Sequence, residues 1–140
     1  MQKLYLFAVI LFLLCGCSHN NLLIGTWQQY DSNNDDRLNV AMGSIQTFTY
    51  EPNGDYLQKI EFQIKVKEKS TTIITEINGT WEMVDDTNFR VQTTTSHIIG
   101  EDTDEEVENI FDSTYTILTL DEETLETMNE GTTTKYKRIK

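Results

Sequence analysis

Residues 58–68 read QKIEFQIKVKE, and no other stretch of the chain alternates so regularly. Ile60, Phe62, Ile64 and Val66 fall on one side of an extended backbone, and Lys59, Glu61, Gln63, Lys65 and Lys67 on the other. Successive side chains of a strand point to opposite faces, so a period of two held over this length predicts a half-buried antiparallel strand. Immediately upstream, Glu51-Pro52-Asn53-Gly54 reads as a turn: proline presets one φ, and Asn-Gly accepts the positive φ that a tight hairpin needs. Before that turn, IQTFTYE (residues 45–51) alternates as well, with Phe48 and Tyr50 on one face. The centre of the chain is therefore a hairpin.

The same reading extends in both directions. LLIGTWQQY (residues 22–30) is a first strand, followed by the turn-forming cluster DSNNDD (31–36), which opens a long loop to about Gly43. TTIITEINGTWEMV (71–84) is rich in β-branched residues and ends at the acidic turn 85–88. FRVQTTTSHII (89–99), NIFDSTYTILTL (109–120), TLETMN (124–129) and TTTKYKRIK (132–140) complete the set. Between the first two of these lies an acid-dense segment, GEDTDEEVE (100–108), read as a loop. Thr103 and Glu106 form a capping box with Val107, Ile110 and Phe111 at helical spacing behind it, but the Thr- and Tyr-rich residues downstream favour a loop that feeds a strand. About eight strands with short turns and no strong helical period predict a small all-β domain. An up-and-down barrel is the arrangement that leaves no exposed sheet edge.

Composition agrees with one such domain. At 140 residues there is room for a single core, and 38% hydrophobic content, much of it in the first fourteen residues, leaves a thin one. A single proline excludes a proline-rich linker. The formal charge of −12 sets aside nucleic-acid binding and attraction to anionic headgroups.

The N-terminus carries a separate signal. MQKLYLFAVILFLLCGCS has one cation, Lys3, then an apolar run from Leu4 to Leu14, too short for the ~20 residues that cross a bilayer and suited to a signal peptide. Leu14-Cys15-Gly16-Cys17 resembles the bacterial lipobox, with Gly16 as the small residue before the cleavage site. The resemblance implies a signal peptide over residues 1–16, acylation of Cys17 by palmitate-type chains, and a tether over 17–21. The domain would then occupy 22–140, anchored to the membrane through Cys17. The competing reading is an ordinary secretory signal with incidental cysteines; both cysteines of the protein falling at this one junction favours the lipobox. Ser18, where an aspartate would favour inner-membrane retention, points to the periplasmic face of the outer membrane if the cell is Gram-negative. Loss of the leader removes one cation and no acid, so the mature chain is one unit more negative and has no second cysteine for a disulfide.

LLIGTWQQY also resembles the Gly-x-Trp opening of the lipocalin superfamily, as Gly25 and Trp27, and EPNGDYL, NGTWEMV and TKYKRIK are similar to small bacterial lipocalin-like domains. The resemblance implies that Trp27 seals one end of a barrel and that Arg138, near the last strand, packs across its ring. It departs from the family in length, in lacking a Thr-Asp-Tyr motif, and in having no disulfide or C-terminal helix. Gly-Thr-Trp occurs a second time, at Gly79 to Trp81. The residues downstream of the two copies, QQYDSNNDDRL and EMVDDTNFRVQ, share little, so the second marks a mid-barrel strand and not a duplication.

Chemistry-bearing motifs are few. His97 beside Ser96 is no triad, since strand neighbours point to opposite faces, and zinc lacks its His and Cys ligands. Asp31, Asn33 and Asp35 have calcium-loop spacing, but Asp36 stands where glycine is required and Met42 where the bidentate glutamate belongs. No catalytic residue, metal or cofactor is expected. Two function classes remain. In the first, the barrel carries a small apolar ligand, lined by Phe48, Tyr50, Phe62, Ile64, Trp81, Phe89 and Tyr115, residues that would equally serve as plain core. In the second, a solid barrel binds or inhibits an envelope protein partner through its acidic loops.

Overall fold

The computed structural model describes residues 19–30, 44–66 and 69–139. The leader, Cys17, and the segment 31–43 with Asp31, Asn33 and Asp35 lie outside them. The alternating segments form eight strands: β1 (Gly25–Tyr30), β2 (Ser44–Tyr50), β3 (Asp55–Val66), β4 (Lys69–Met83), β5 (Asn88–Ile99), β6 (Asp104–Leu120), β7 (Thr124–Asn129) and β8 (Thr132–Ile139). Among the described residues a short helix, α1 (His19–Leu23), precedes them. Each strand pairs antiparallel with the next and β8 pairs back onto β1, closing an up-and-down barrel.

Register follows the hydrophobic pattern. Residues directly opposite in an antiparallel pair share a face, and Trp27↔Phe48, Tyr50↔Tyr56, Gln58↔Ile77, Phe89↔Tyr115 and Leu125↔Tyr136 trace one continuous inner face around the barrel. A slip of one residue in any pair would turn that strand's inner set to solvent. The hairpin between β2 and β3 is the turn that EPNG predicts, with Gly54 at φ +90°.

The closed end is built by a few residues near both termini. Leu23 and Trp27 are fully buried, and the indole Nε1 of Trp27 donates to the carbonyl of Leu23 at 2.9 Å. Arg138 lies over the Trp27 ring, 4.2 Å from its centroid. Its guanidinium donates to the carbonyls of Ile24 (2.7 Å) and Glu122 (2.7 Å) and to that of Leu22. Gly25 has φ +136°, and a Cβ there would overlap Arg138 Nη1. Glycine is thus required both by the backbone and by the close approach of the guanidinium.

Above this floor sits an aromatic core. Tyr50 packs edge-on against Trp81 (5.7 Å) and Phe89 (5.5 Å), and Phe89 stacks on Tyr115 (5.3 Å). Trp81 Nε1 donates to the carbonyl of Glu51 at 2.9 Å, so both indoles have partners.

Strands β3 to β6 are longer than the rest and continue past the last β2–β3 pair, Ser44↔Phe62. Within the closed part the register shifts at Asn78/Gly79, where Thr94 is an extra β5 residue against β4, and at Thr93/Thr95, where β6 has two residues, Asn109 and Ile110, against Thr94. A Cβ on Gly79 would come within 2.7 Å of Thr93 Cα, so the bend depends on backbones too close to admit a side chain.

Two expectations need correction. The acidic segment 100–108 is not a loop throughout: Gly100 N–H donates to Thr103 O at 2.7 Å, closing a short turn, and β6 already begins at Asp104. Carboxylates on a strand that outruns its neighbour on one side suit the need to discourage pairing with other chains. The first strand, expected from Leu22, begins at Gly25, because residues 19–23 form α1.

Candidate functional site

Above the aromatic core the barrel holds an open-mouthed cavity of about 520 Å³. All eight strands contribute side chains to its wall. On one side stand Gln29 (β1), Phe48 (β2), Gln58 (β3) and Ile77 (β4). Thr93 (β5) and Asn109, Phe111 and Tyr115 (β6) form the opposite side. Asn129, Thr134 and Tyr136 close the gap between β6 and β1, with Glu130 and Thr132 at the rim.

The polar groups of the wall are held in place by neighbours. Gln58 Nε2 donates to Gln46 Oε1 (3.3 Å) and Gln58 Oε1 accepts from the Tyr56 hydroxyl (3.4 Å). Thr93 Oγ1 donates to the carbonyl of Asn109 (2.7 Å), Asn109 Nδ2 to Ser96 Oγ (2.6 Å), and Asn129 Nδ2 to the carbonyl of Thr114 (2.8 Å). The ring of Tyr136 meets Phe48 edge-on at 5.2 Å. Burial raises the pKa of both wall phenols, Tyr115 and Tyr136, keeping them protonated at neutral pH. Among the described residues, Glu130 is the one carboxylate of the wall, and no lysine, arginine or histidine lines it.

Of the seven residues expected to line a lumen, Phe48 and Tyr115 do so. Tyr50, Trp81 and Phe89 are 4%, 9% and 1% exposed and pack into the core beneath the cavity, because they lie nearer the closed end on their strands. Phe62 and Ile64 share their phase but sit at and beyond the last β2–β3 pair, where the inner face opens and both are exposed. Gly25, Trp27 and Arg138 meet at the closed end. Cys17 lies outside the described residues.

The wall residues that sequence reasoning overlooked are mainly amides and hydroxyls. Gln58 is two residues before Ile60 in the same alternation, and Tyr136 lies two before Arg138, so parity alone would have marked both. The wall is consequently mixed and not the apolar lining expected. On the outer face, His97 Nε2 pairs with Asp104 Oδ1, and Arg90 Nε donates to Asp112 Oδ1 at 2.7 Å. Among the described residues no three His, Cys, Asp or Glu side chains are placed to hold a metal ion together. No protein family matches the chain, and no curated protein sequence matches it.

Proposed function

We propose that this protein is a lipid-anchored cell-envelope protein whose lipocalin-like barrel binds one small molecule, and that it is a carrier or receptor and not an enzyme. The observation that carries the reading is the cavity: about 520 Å³, within the ~300–1,000 Å³ range of small-molecule pockets, walled by all the strands of a closed barrel. A solid barrel of this size would instead have its lumen filled by side chains. The lipobox resemblance at Cys17 supports the anchor. It lies two residues before α1, which packs at the closed end, so an acyl group at Cys17 holds that end near the membrane and leaves the mouth facing away.

Native mass spectrometry of the full chain, purified from its own envelope, tests the binding role. The expected spectrum shows a one-to-one non-covalent adduct, lost when Ile77→Trp fills the cavity. No adduct, or one indifferent to Ile77→Trp, contradicts it.

A further inference from the structure

The wall of the cavity defines a ligand class narrower than "small molecule", and the inference rests on the binding role proposed above. Gln58, Asn109 and Asn129 each carry two amide N–H donors and a carbonyl with two lone pairs. Their protein partners engage one N–H of each: Gln58 toward Gln46, Asn109 toward Ser96, and Asn129 toward Thr114. No side-chain polar atom among the described residues is both sealed from solvent and unpartnered, and each of these amides keeps a second N–H beyond the one its named partner takes. They form a ring of mixed polarity around the cavity. Between them stand the flat faces and edges of Phe48, Tyr115 and Tyr136.

The electrostatics are one-sided. Among the described residues the wall has no cation and one carboxylate, Glu130 at the rim, and the chain carries a formal charge of −12. A carboxylate or phosphate taken into this space would leave water without gaining a counter-charge, and such a loss is large in a low-dielectric site. A purely apolar chain would strip water from the amides and offer them nothing in return. Both the anionic amphiphile and the bare hydrocarbon are therefore poor occupants. We infer that the cavity takes an uncharged ring compound bearing amide or hydroxyl groups, with its ring against Phe48, Tyr115 and Tyr136 and its polar groups on the carboxamides of Gln58, Asn109 and Asn129.

The test uses three probes on the full chain in lipid nanodiscs, with empty nanodiscs as the blank, by titration calorimetry at pH 7. They are 2-naphthamide, its ionised isostere 2-naphthoate, and dodecanoate. The expected result is one-to-one binding of 2-naphthamide, at least about tenfold tighter than either anion. Gln58→Leu and Asn109→Leu should each weaken it roughly three- to tenfold, the scale of one lost hydrogen bond. Gln58→Arg should reverse the order in favour of 2-naphthoate, a gain of binding that misfolding cannot produce.

The inference is overturned if either anion binds the unmodified chain as tightly as 2-naphthamide, or if neither Leu variant weakens the amide probe. A dodecanoate signal that disappears in Ile77→Trp would refute the ligand class while leaving the lumen as a binding site. If no probe gives a signal sensitive to Ile77→Trp, both the class and the proposed role fail.

Discussion

Truncating Arg138 should open the closed end of the barrel. Its guanidinium donates to the carbonyls of Leu22, Ile24 and Glu122 and lies 4.2 Å from the centroid of the Trp27 ring. The contact with Glu122 is exposed, so water replaces it in an alanine variant. The two part-buried ones, to Leu22 and Ile24, are not so easily replaced. At the low end of the range for a charged donor they contribute about 3 kcal/mol together. The ring contact adds about 0.5–1 kcal/mol. Arg138→Ala should therefore cost about 3–4 kcal/mol, a large share of the ~5–15 kcal/mol that stabilises a typical domain. Urea unfolding of the full chain, followed by Trp27 and Trp81 fluorescence, should show a midpoint lowered by on the order of 2 M. Arg138→Lys should recover less than half, because an ammonium cannot present the planar fork.

Gly25 supplies an internal control. Gly25→Ala introduces both an unfavourable φ, at +136°, and an overlap with Arg138 Nη1. In the Arg138→Ala background the overlap is gone, and only the backbone penalty of about 1–2 kcal/mol remains. The double variant should thus be less destabilised than the two single effects combined, by about 1 kcal/mol or more. Strict additivity, or an Arg138→Ala cost below about 1 kcal/mol, would refute this account of the closed end.

Other expectations rest on the same structure. Gly79→Ala should destabilise by about 1–3 kcal/mol in urea melts, because its Cβ collides with the β5 backbone at the bulge. Burial raises the pKa of Tyr50 and of Tyr56, so these phenols stay protonated in the folded chain. Their stabilisation is intact below the unfolded tyrosine pKa near 10 and is lost as pH rises above it, by about 1.4 kcal/mol per pH unit for each. Absorbance at 295 nm should accordingly show these two ionising only together with the unfolding seen by circular dichroism. Asp121 accepts hydrogen bonds from the backbone N–H groups of Glu123 and Thr124 and from the Thr124 hydroxyl, which lower its pKa. Its contribution is present above the unfolded value near 4 and is lost as pH falls through the lowered one. The melting temperature of Asp121→Asn should therefore lie below that of the parent at pH 7 and approach it below about pH 3. Glu130 has φ +48° in the β7–β8 turn, so Glu130→Asn should stabilise by about 0.5 kcal/mol in the same melts.

Much of the barrel was legible because its strands obey a period of two. The alternation of Ile60, Phe62 and Ile64 located β3, and the turn at Pro52-Asn53-Gly54 located its hairpin. Strand length was harder to read: the carboxylates of residues 104–108 look like loop composition. Their strand character comes from pairing with β5, as in Ile98↔Glu105 and Ser96↔Val107, a tertiary fact. The cavity wall was only half legible. Parity gives the face of a residue but not its height along the barrel axis, and height separates Phe48 on the wall from Tyr50 in the core, two residues apart on β2. A search for inward apolar residues also passes over inward amides, which is why Gln58 and Asn129 were missed.

The central claim, that the lumen is the working part of the molecule, is most directly tested by the side-chain amide resonances. Proton–nitrogen correlation spectra of the labelled full chain in isotropic bicelles resolve these groups in pairs. On addition of 2-naphthamide, the pairs of Gln58, Asn109 and Asn129 should shift together to a single saturation point. Gln92, whose amide donates to Asp112 on the outer face, should stay in place. Shifts confined to outer-face groups, or no shift at saturating probe, would contradict the claim.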